Sequence, residues 1–463
     1  MDKYFLDREA LFGTQQYLTY FCPMEHSSFS IADILSNLQI GALNDMQQAS
    51  LETNSTSDAV VLLADTGSGK TLAFLLPLVR SLKKNKNVSQ ALIIVPAREL
   101  ALQIERVFKS MKTGFKVTCC YGGHLRETEE NNLKEAPELI IGTPGRLGDH
   151  IRRGNINTAH IETLVLDEFD KSLEEGFEKE MAFIIGSLPA LQKRILTSAT
   201  EALEIPAFVG LENPTEINFL KGETSPALTV KMVNSDGPDK SETLFRLICA
   251  LGNRSTIIFC NQREFVAEVS GMLKDKGILN VFYHGAMEQQ ERDAALCKFR
   301  NGSSNILVTT DLAARGLDIP NIRYIIHYQL PHTKETFVHR NGRTARMEAS
   351  GTAILMLAPG ERVPDYISPA PEVITLPDTA VLPPKPDWTT LFIAAGKKDK
   401  VNKVDIVGFL SHKGMLKKED IGIIEVKDFF SFVAVRKSKA GATLHLIQSE
   451  KLKNKKVKIS VAK

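Results

Sequence analysis

The segment VVLLADTGSGKT combines the residue types that bind a phosphate chain, in the order that phosphate binding requires. It leads from an apolar, strand-like run through a glycine-rich turn into the apolar, helix-like LAFLLPLV. Gly67 and Gly69 allow the backbone to wrap closely around phosphates, while Lys70 reaches the terminal phosphates and the Thr71 hydroxyl binds Mg²⁺. A glycine-rich turn without a ligand is the alternative, and Ala64 stands where glycine is usual at the first position of the motif.

A pair of carboxylates follows a second apolar run, in TLVLDEFD. Asp167 beside a magnesium ion and Glu168 beside a water molecule are the groups that phosphoryl transfer to water requires. Acidic residues after a strand are common, so these two carry weight only together with the phosphate loop about a hundred residues earlier. The two segments together predict a nucleotide-hydrolysing site.

A third candidate element is the arginine-rich HRNGRTAR. Arg343 and Arg346 are predicted to cross a domain interface and stabilise charge on the γ-phosphate. The alternative is a solvated surface cluster. The catalytic role requires a second domain that closes on the first.

The elements that must position these residues form two series of short apolar runs that alternate with helix-like stretches. Such alternation predicts an α/β fold with two RecA-like parallel-sheet domains in tandem. The predicted strands are Val60–Ala64, Ala91–Val95, Leu139–Gly142, Leu164–Leu166, Ile195–Thr197 and Glu216–Phe219, then Ser255–Phe259, Val281–Tyr283, Ile306–Thr309, Tyr324–His327 and Thr352–Leu357. We find no sequence repeat, although the two domains are candidates for a shared fold.

These runs and a proline-rich stretch predict the domain boundaries. Seven prolines between 364 and 386 indicate an extended linker, and the strand–helix–strand pattern after it indicates a small α+β domain. The predicted divisions are an N-terminal segment 1–25, a first domain 26–221, a second domain 226–363, the linker 364–388 and a C-terminal domain 389–463.

The charge of the chain is unevenly distributed. Residues 389–463 contain 17 Lys and Arg against 7 Asp and Glu, while the remaining chain contains 40 against 48. A basic domain attached to a mildly acidic body suggests a tethered module that binds a polyanion, although lysine-rich surfaces often serve only solubility. The six cysteines show no metal-site spacing, which favours reduced thiols in the cytoplasm, and no apolar run is long enough for a membrane span.

Taken in order, these motifs resemble the DEAD-box branch of superfamily-two helicases. The resemblance covers about residues 25–360. Its motifs are ADTGSGKT, PARELA at 96–101, the glycine pair 122–123, TPGR at 143–146, DEFD at 167–170, SAT at 198–200, IIFC at 257–260, the Gln289/Arg292 pair in MEQQER, TTDLAARGLDIP at 309–320 and HRNGRTAR at 339–346.

The resemblance implies an ATP- and Mg²⁺-dependent RNA helicase and assigns roles residue by residue. Gln47, with Phe29 stacking upstream, would select adenine, and Gln48 is the alternative because the usual proline of this segment is missing. Asp318 would contact the ribose, and Ser198, Thr200 and Asp170 would couple hydrolysis to strand separation. The phosphates would contact Ala64, Thr66, Gly67, Ser68, Gly69, Lys70 and Thr71, with Thr71 and, through water, Asp167 holding the metal. RNA would contact Arg98, Gly123, Thr143, Arg146, Arg292 and Thr310.

Four further residues depart from the family pattern. Phe169 replaces an alanine in the DEAD motif, Ala97 replaces a common threonine, and Asn341 and Ala345 replace isoleucine and glycine in the last motif. A bulky ring at position 169 must fit beside the SAT loop, which is expected to affect coupling.

The C-terminal domain resembles the RRM-like RNA-binding domain of DbpA-type helicases. Phe430 and Phe432 match aromatic positions of the RRM signature and share one strand face, which either stacks on bases or packs on a helix. The basic residues expected to contact phosphates are Lys397, Lys398, Lys400, Arg436, Lys437 and Lys439. The resemblance implies anchoring to large-subunit ribosomal RNA and remodelling of nearby helices during ribosome assembly.

Other functions remain open at this point. The chain could be a general RNA chaperone without a dedicated target, or an ATP-dependent RNA clamp with little unwinding. A DNA translocase of the same superfamily is disfavoured by the adenine-reading glutamine, SAT and TPGR. We expect a cytoplasmic monomer that binds structured RNA, with neither DNA nor membrane as a partner.

Overall fold

Seven parallel strands form the sheet of the first domain in the computed structural model, which describes residues 30–462 apart from 66, 85, 124, 201–204, 221–227, 315–321, 343 and 345–350. The strands are Ala59–Ala64 (β1), Ala91–Ile94 (β2), Val117–Cys120 (β3), Leu139–Gly142 (β4), Thr163–Leu166 (β5), Lys193–Ser198 (β6) and Thr215–Phe219 (β7). Their order across the sheet is β3-β4-β2-β5-β6-β1-β7. All of the pairings are parallel.

Helices cover both faces of this sheet. They are Ile31–Leu38 (α1), Asp45–Thr56 (α2), Lys70–Ser81 (α3), Arg98–Ser110 (α4), Arg126–Leu133 (α5), Pro144–Arg152 (α6), Phe169–Glu174 (α7) and Glu178–Gly186 (α8). Alternate residues of one strand enter separate cores: Ile93 joins the core under α3 and α4, whereas Leu92 and Ile94 join the core under α7 and α8. A strand buried on both faces reads as a continuous apolar run, which is why these strands were predictable.

The second domain repeats this topology. Its strands are Leu228–Asn234 (β8), Thr256–Phe259 (β9), Val281–Tyr283 (β10), Ile306–Thr309 (β11), Tyr324–His327 (β12), Gly351–Leu357 (β13) and Glu372–Val373 (β14), and its helices are Ser241–Leu251 (α9), Arg263–Asp275 (α10), Gln289–Arg300 (α11) and Lys334–Asn341 (α12). The sheet order, β10-β11-β9-β12-β13-β8-β14, matches that of the first domain strand for strand. The expectation of two parallel-sheet domains is therefore confirmed, and the two share one topology.

Three described strands of these two parallel sheets were absent from the predicted set. β3 lies at the edge of its sheet, and its residues VTCC are alternately buried and half-buried, so they form no continuous apolar run. β8 is half-buried along most of its length and follows a polar stretch. β14 is only two residues long and lies within the proline-rich segment.

The proline-rich segment is extended, but it is attached along the second domain instead of spanning open solvent. Glu372 and Val373 pair with β8, and the Tyr366 hydroxyl donates to the Pro331 carbonyl at 2.6 Å. The Arg246 guanidinium donates to the Pro377 carbonyl at 2.9 Å. These contacts fix the path of the chain towards the C-terminal domain.

The C-terminal domain is a four-stranded antiparallel sheet with two helices on one face. Its strands are Trp388–Ile393 (β15), Ile421–Val426 (β16), Ser431–Arg436 (β17), a short hairpin of Lys451–Leu452 (β18) with Lys455–Lys456 (β19), and Ile459–Val461 (β20); its helices are Lys403–His412 (α13) and Lys437–Ile447 (α14). The order β16-β17-β15-β20 and the succession βαββαβ are those of an RRM. The predicted small α+β domain at the C-terminus is confirmed.

The open face of this small sheet packs on α11 of the second domain. Phe432 is 1% exposed and lies in a cluster with Ala294 and Cys297 of α11. Phe392 and Phe430 border the same cluster. The sequence left two alternatives open, stacking on bases and packing on a helix, and the structure shows packing on a helix. Phe432 is therefore too buried to stack on a base.

Polar contacts surround this apolar interface. Arg300 and Glu425 form an ion pair at 3.1 Å, and the Asn301 side-chain amide donates to the Thr390 hydroxyl at 2.9 Å.

Among the residues that the structure describes, no helix is long and apolar enough to cross a lipid bilayer.

Candidate functional site

The phosphate loop connects β1 to α3, as the sequence predicts. Gly67 and Gly69 have φ angles of +83° and +97°, a region that a residue with a Cβ adopts only with strain. The Lys70 ammonium lies over the loop and donates to the carbonyls of Ala64 and, at 3.0 Å, of Asp65. The loop thus brings the lysine and the N-terminal end of α3 to one point, where backbone N–H groups favour an anion. Ser68 and Thr71 are further described residues of the motif.

Gln47 lies directly against this loop. Its amide nitrogen donates to the Gly69 carbonyl at 3.3 Å, and its oxygen accepts from the Asn44 backbone N–H at 3.1 Å. A Cβ on Gly69 would lie 2.6 Å from this amide nitrogen. Gln48 faces away and donates to the Leu43 carbonyl instead. Of the two glutamines, Gln47 is therefore the one that contacts the phosphate loop.

Asp167 and Glu168 follow the end of β5, next to the phosphate loop. Asp167 is 3% exposed, and its Oδ1 accepts from the Thr197 hydroxyl at 2.5 Å and from the Glu168 N–H at 3.2 Å. Burial raises the pKa of Asp167, while the Thr197 hydrogen bond and the Lys70 charge oppose that shift. A fixed carboxylate and the Thr71 hydroxyl are oxygen donors of the kind that Mg²⁺ prefers, so these residues fit the ion.

Charge is balanced among the buried groups of this site. Burial lowers the pKa of Lys70, and the carboxylates of Asp167, Glu168 and Asp170 oppose that shift. A buried lysine among carboxylates stays charged more easily than an isolated one because each negative neighbour favours the ammonium form.

Asp170 links the first domain to the second. Its Oδ2 lies 3.6 Å from Nε2 of His339 on α12, and both side chains are buried. Burial raises the pKa of Asp170 to about 6. Ser198 and Thr200, at the end of β6, bond to each other, since the Thr200 N–H donates to the Ser198 hydroxyl oxygen at 3.0 Å. The two domains thus meet at Asp170 and His339, next to the end of β5.

A second meeting point gathers polar side chains from both domains. Gly123 has a φ of +89°, and a Cβ there would lie 3.2 Å from Arg98, 3.6 Å from Gln289 and 4.0 Å from Arg292. Arg98 stacks on Tyr121 at 4.6 Å, and Arg292 donates to Gln289 at 2.5 Å. We call Arg98, Gly123, Gln289 and Arg292 the strand groove.

The strand groove contains hydrogen-bond donors that have no partner among the described residues. Nε and Nη1 of Arg98 and Nε of Arg292 are buried without a hydrogen-bond partner among the described residues. Buried guanidinium N–H groups are costly to leave unpaired. Phosphate oxygens of a polyanion are suitable acceptors for them.

Arg146 is fixed by a buried network behind its loop. Its Nη1 donates to Glu129 at 2.9 Å, and the same carboxylate oxygen lies 2.8 Å from Nε2 of His150. Thr143 is the N-cap residue of α6, and its N–H donates to the Cys120 carbonyl at 3.0 Å. The sequence motif TPGR indicated Arg146, but Glu129 and His150 stand outside any motif and were missed.

Five predicted site residues, Phe29, Thr66, Asp318, Arg343 and Arg346, lie outside the described residues. Arg340, which lies in the same motif as Arg343 and Arg346, is described, and the sequence motifs assigned it no role. It is fully buried and binds Asp311 through two bonds, with Nη2 to Oδ2 at 3.0 Å. It also donates to Asn261 at 2.7 Å. Arg340 therefore anchors α12 to the turn at Asp311–Ala314, just after Thr310. The only feature of the sequence that could have indicated this role is that Arg340 belongs to the motif HRNGRTAR.

Comparison with protein families matches all three domains. The DEAD/DEAH box helicase family matches residues 44–206, the helicase conserved C-terminal domain matches 239–348, and the DbpA RNA binding domain matches 390–461. The ATP-dependent RNA helicase DbpA of Escherichia coli K12 is 32% identical over 457 residues, covering 94% of this chain and all of the relative. The chain belongs to the DEAD-box ATP-dependent RNA helicases of the DbpA type. It is an RNA-dependent ATPase and helicase.

Other members of the DEAD-box family agree with this assignment. The DbpA helicase of Bacillus subtilis 168 is 30% identical, with 94% of this chain and 98% of the relative covered. Among solved structures, Saccharomyces cerevisiae Dbp5 bound to RNA and ADP BeF3 has a TM-score of 0.63 at 26% identity, covering 70% of this chain and 87% of that one. Mss116p bound to ssRNA and AMP-PNP has a TM-score of 0.62 at 28% identity, covering 70% and 72%.

The basic residues predicted to contact RNA in the DbpA-type domain fall into two groups. Lys397, Lys398 and Lys400 follow β15, and all are exposed. Arg436 is the last residue of β17 and stacks on Trp388 at 4.4 Å, while Lys437 and Lys439 lie in the first turn of α14. β15 and β17 are antiparallel, with Trp388 opposite Arg436, so the groups lie at opposite ends of the sheet. The fold does not join them into one patch.

Proposed function

We propose that the described site residues carry the roles that the family motifs imply. Lys70 would bind the terminal phosphates of ATP, and Gln47 would read the adenine. Thr71 and, through water, Asp167 would hold Mg²⁺, which supplies charge neutralisation on the phosphates. Glu168 would orient the attacking water, while Arg343 and Arg346 would stabilise the charge that develops on the γ-phosphate. The burial of Asp167 and the position of Gln47 against Gly69 support this arrangement.

We also propose that ATP and RNA favour the same closed arrangement of the two parallel-sheet domains. Asp170 and His339 meet on the nucleotide side, and Arg98 and Arg292 meet at the strand groove. RNA would contact the strand groove, Thr143, Arg146 and Thr310, mainly through phosphates and 2′-hydroxyls. Because both ligands would bridge the cleft, each must raise the affinity for the other by the same factor. The closed form would bend one strand and so separate short duplexes locally.

The proposed target is ribosomal RNA during assembly of the large subunit. The observation that carries this proposal is the docked C-terminal domain, which presents two exposed basic groups while its aromatic face contacts α11. A domain that holds RNA at a fixed place beside the motor would direct remodelling to helices near its anchor. A general RNA chaperone would have no need of such a fixed anchor.

The proposed target is tested by measuring ATP hydrolysis with a large-subunit ribosomal RNA fragment and with unrelated RNA at equal phosphate concentration and fixed salt. We expect strong stimulation by the ribosomal fragment alone. The same chain without residues 389–463, and a full-length variant with Lys397, Lys398 and Lys400 changed to Gln, should lose that preference and keep basal hydrolysis. Equal stimulation by both RNAs would instead identify a general chaperone, and no hydrolysis would identify a clamp.

We further propose that the protein acts as a cytoplasmic monomer. The described cysteines are free, and Cys120, Cys260 and Cys297 are buried, as expected for thiols in a reducing compartment. Light scattering at micromolar concentration tests the monomer, and a mass of twice 51.2 kDa would contradict it.

A further inference from the structure

The loop between β16 and β17 is held rigidly by the turn that follows β15. The Lys397 N–H donates to the Lys427 carbonyl at 2.9 Å, and the Lys398 N–H donates to the Asp428 carbonyl at 2.8 Å. A Cβ on Gly396 would lie 2.3 Å from the Lys427 carbonyl oxygen. Only glycine therefore allows this close approach, and the loop is fixed to the basic turn.

This loop lies beside the strand groove. The Lys427 ammonium lies 3.7 Å from Oδ1 of Asp293, and that oxygen accepts from the Gln289 amide at 3.3 Å. Gln289 in turn belongs to the strand groove. On the first-domain side, burial raises the pKa of Tyr121, and the Asp428 carboxylate adds to the shift, which places that carboxylate within electrostatic reach of the ring under Arg98.

Phe429 extends from this loop with 59% of its surface exposed. Its neighbour Phe430 packs against the rings of Phe392 and Phe432, towards α11. A single exposed aromatic residue is ordinary on a protein surface. Here the ring belongs to a loop that is hydrogen-bonded to the turn of two exposed lysines, Lys397 and Lys398. The same loop contacts Asp293, which is bonded to Gln289 of the strand groove. Positive charge that follows a backbone, with an aromatic ring beside it, is the usual construction of a surface for single-stranded nucleic acid.

We propose that Phe429 stacks on a base of the RNA strand where that strand leaves the strand groove, with Lys397 and Lys398 contacting the adjacent phosphates. The proposal rests on the proposed RNA contacts of Arg98, Gly123 and Arg292. It places the site at the junction of motor and C-terminal domain, so one continuous strand would contact both. The ligand is an unpaired nucleotide of any sequence, because every base has a face that can stack.

The test uses the full chain, a non-hydrolysable ATP analogue and single-stranded RNAs that carry 2-aminopurine at successive positions. Wild type should quench the probe at one position, and Phe429→Ala should abolish that quenching and weaken RNA binding about tenfold, as expected for the loss of one stacked base. Phe429→Tyr should keep both the quenching and the RNA affinity of the wild type, whereas Phe429→Leu should lose both. The salt dependence of binding should stay unchanged because no charge is removed.

Matched variants separate this site from the groove. Met415 is 73% exposed and follows the far end of α13, so Met415→Ala should behave as wild type. Arg292→Ala should weaken binding of every RNA, and if it does not, the groove assignment fails whatever Phe429 does. If Phe429→Ala binds RNA and quenches the probe like wild type while Arg292→Ala is impaired, the stacking proposal alone is overturned. The stacking proposal is also overturned if Phe429→Leu binds RNA and quenches the probe like wild type.

Discussion

Three acidic residues within four positions of the chain are given different tasks by their surroundings. Asp167 is held by Thr197 and lies near Lys70, which favours a carboxylate ready for a metal. Glu168 precedes α7 as its N-cap and has a φ of +49°, so the chain changes direction there after the strand. Asp170 faces α12 across the domain boundary. Burial and neighbours, more than residue type, therefore decide what each carboxylate does.

Glu168→Gln is expected to reduce ATP hydrolysis about a hundredfold or more while leaving ATP binding intact, because an amide cannot accept the proton of the attacking water. Phosphate release under RNA saturation and binding of a fluorescent ATP analogue measure the two properties. Glu178→Gln removes an exposed carboxylate of the same domain and should leave both unchanged. Retained turnover in Glu168→Gln would remove Glu168 from the proposed role.

Asp170→Asn is expected to stabilise the protein at pH 7.5 by about 1–3 kcal/mol while lowering RNA-stimulated hydrolysis. The pKa of Asp170 is about 6, above its ordinary value of 3.8, so the folded protein binds this proton more tightly than the unfolded chain. The stability that this contributes is complete below pH 3.8 and is lost as pH rises through 6. Asparagine is neutral throughout and removes that loss.

Thermal unfolding of the nucleotide-free protein between pH 4 and 7.5 measures this effect. The wild-type stability should fall relative to Asp170→Asn as the pH rises across that range. Asp275→Asn, at an exposed position, serves as the control. A constant difference between the wild type and Asp170→Asn at all pH values would contradict the titration of Asp170.

At the scale of elements, helix α7 explains the unusual residue of the DEFD motif. Phe169 is 0% exposed and belongs to the same core as Leu166, Met181 and Ile184. The ring therefore fills the space between α7, α8 and β5. The expectation that it alters coupling stays a prediction, but its packing gives it a clear structural part.

Phe169→Ala, although it restores the residue common in the family, is expected to destabilise the first domain by about 3–5 kcal/mol because a cavity forms under α7. Phe169→Leu, which keeps most of the volume, should cost less than about 1.5 kcal/mol. Urea unfolding measures both. Leu125→Ala, at a position 70% exposed, should change stability by less than about 0.5 kcal/mol. An unchanged unfolding midpoint for Phe169→Ala would show that neighbouring side chains refill the space.

Helix α11 contributes to the strand groove with one set of residues and contacts the C-terminal domain with another. Its first turn supplies Gln289 and Arg292 to the strand groove, and its later residues Ala294 and Cys297 receive Phe432 of the C-terminal domain. A helix is rigid over this length, so its two faces hold a constant relation. The C-terminal domain is thereby oriented with respect to the groove.

At the scale of the whole molecule, this docking combines an apolar centre with a polar border. The pair Arg300–Glu425 lies at that border, about a fifth exposed on each side. Such an interface resembles those between domains of one chain, where a polar rim surrounds a smaller apolar patch. The interface therefore fixes the orientation of the C-terminal domain relative to the second domain.

Glu425→Arg should loosen the docked domain because it places two like charges together, and Arg300→Glu should restore docking in the double variant. Neighbouring charges couple by about 0.5–3 kcal/mol, which is enough to shift a small interface. Small-angle scattering should show a larger radius of gyration for Glu425→Arg and recovery in the double variant. Lys231→Glu, at the ion pair with Glu372 on the far edge of the second sheet, is the control.

The sequence by itself determined the family, the two parallel-sheet domains and the local motifs of the phosphate loop and the carboxylates. Those features depend on local pattern: strands buried on both faces are continuous apolar runs, and a phosphate loop needs its glycines and lysine in one order. Half-buried strands such as Val117–Cys120 and Leu228–Asn234 carry no such pattern and were therefore missed.

Only the tertiary structure decided which faces and side chains meet. It placed Gln47 rather than Gln48 at Gly69, joined Asp170 to His339, and turned Phe432 towards α11 instead of towards a base. These outcomes depend on contacts between residues far apart in the chain, which no local spacing records. A strand pattern shows that Phe430 and Phe432 share a side, but what covers that side depends on where the remaining domains pack.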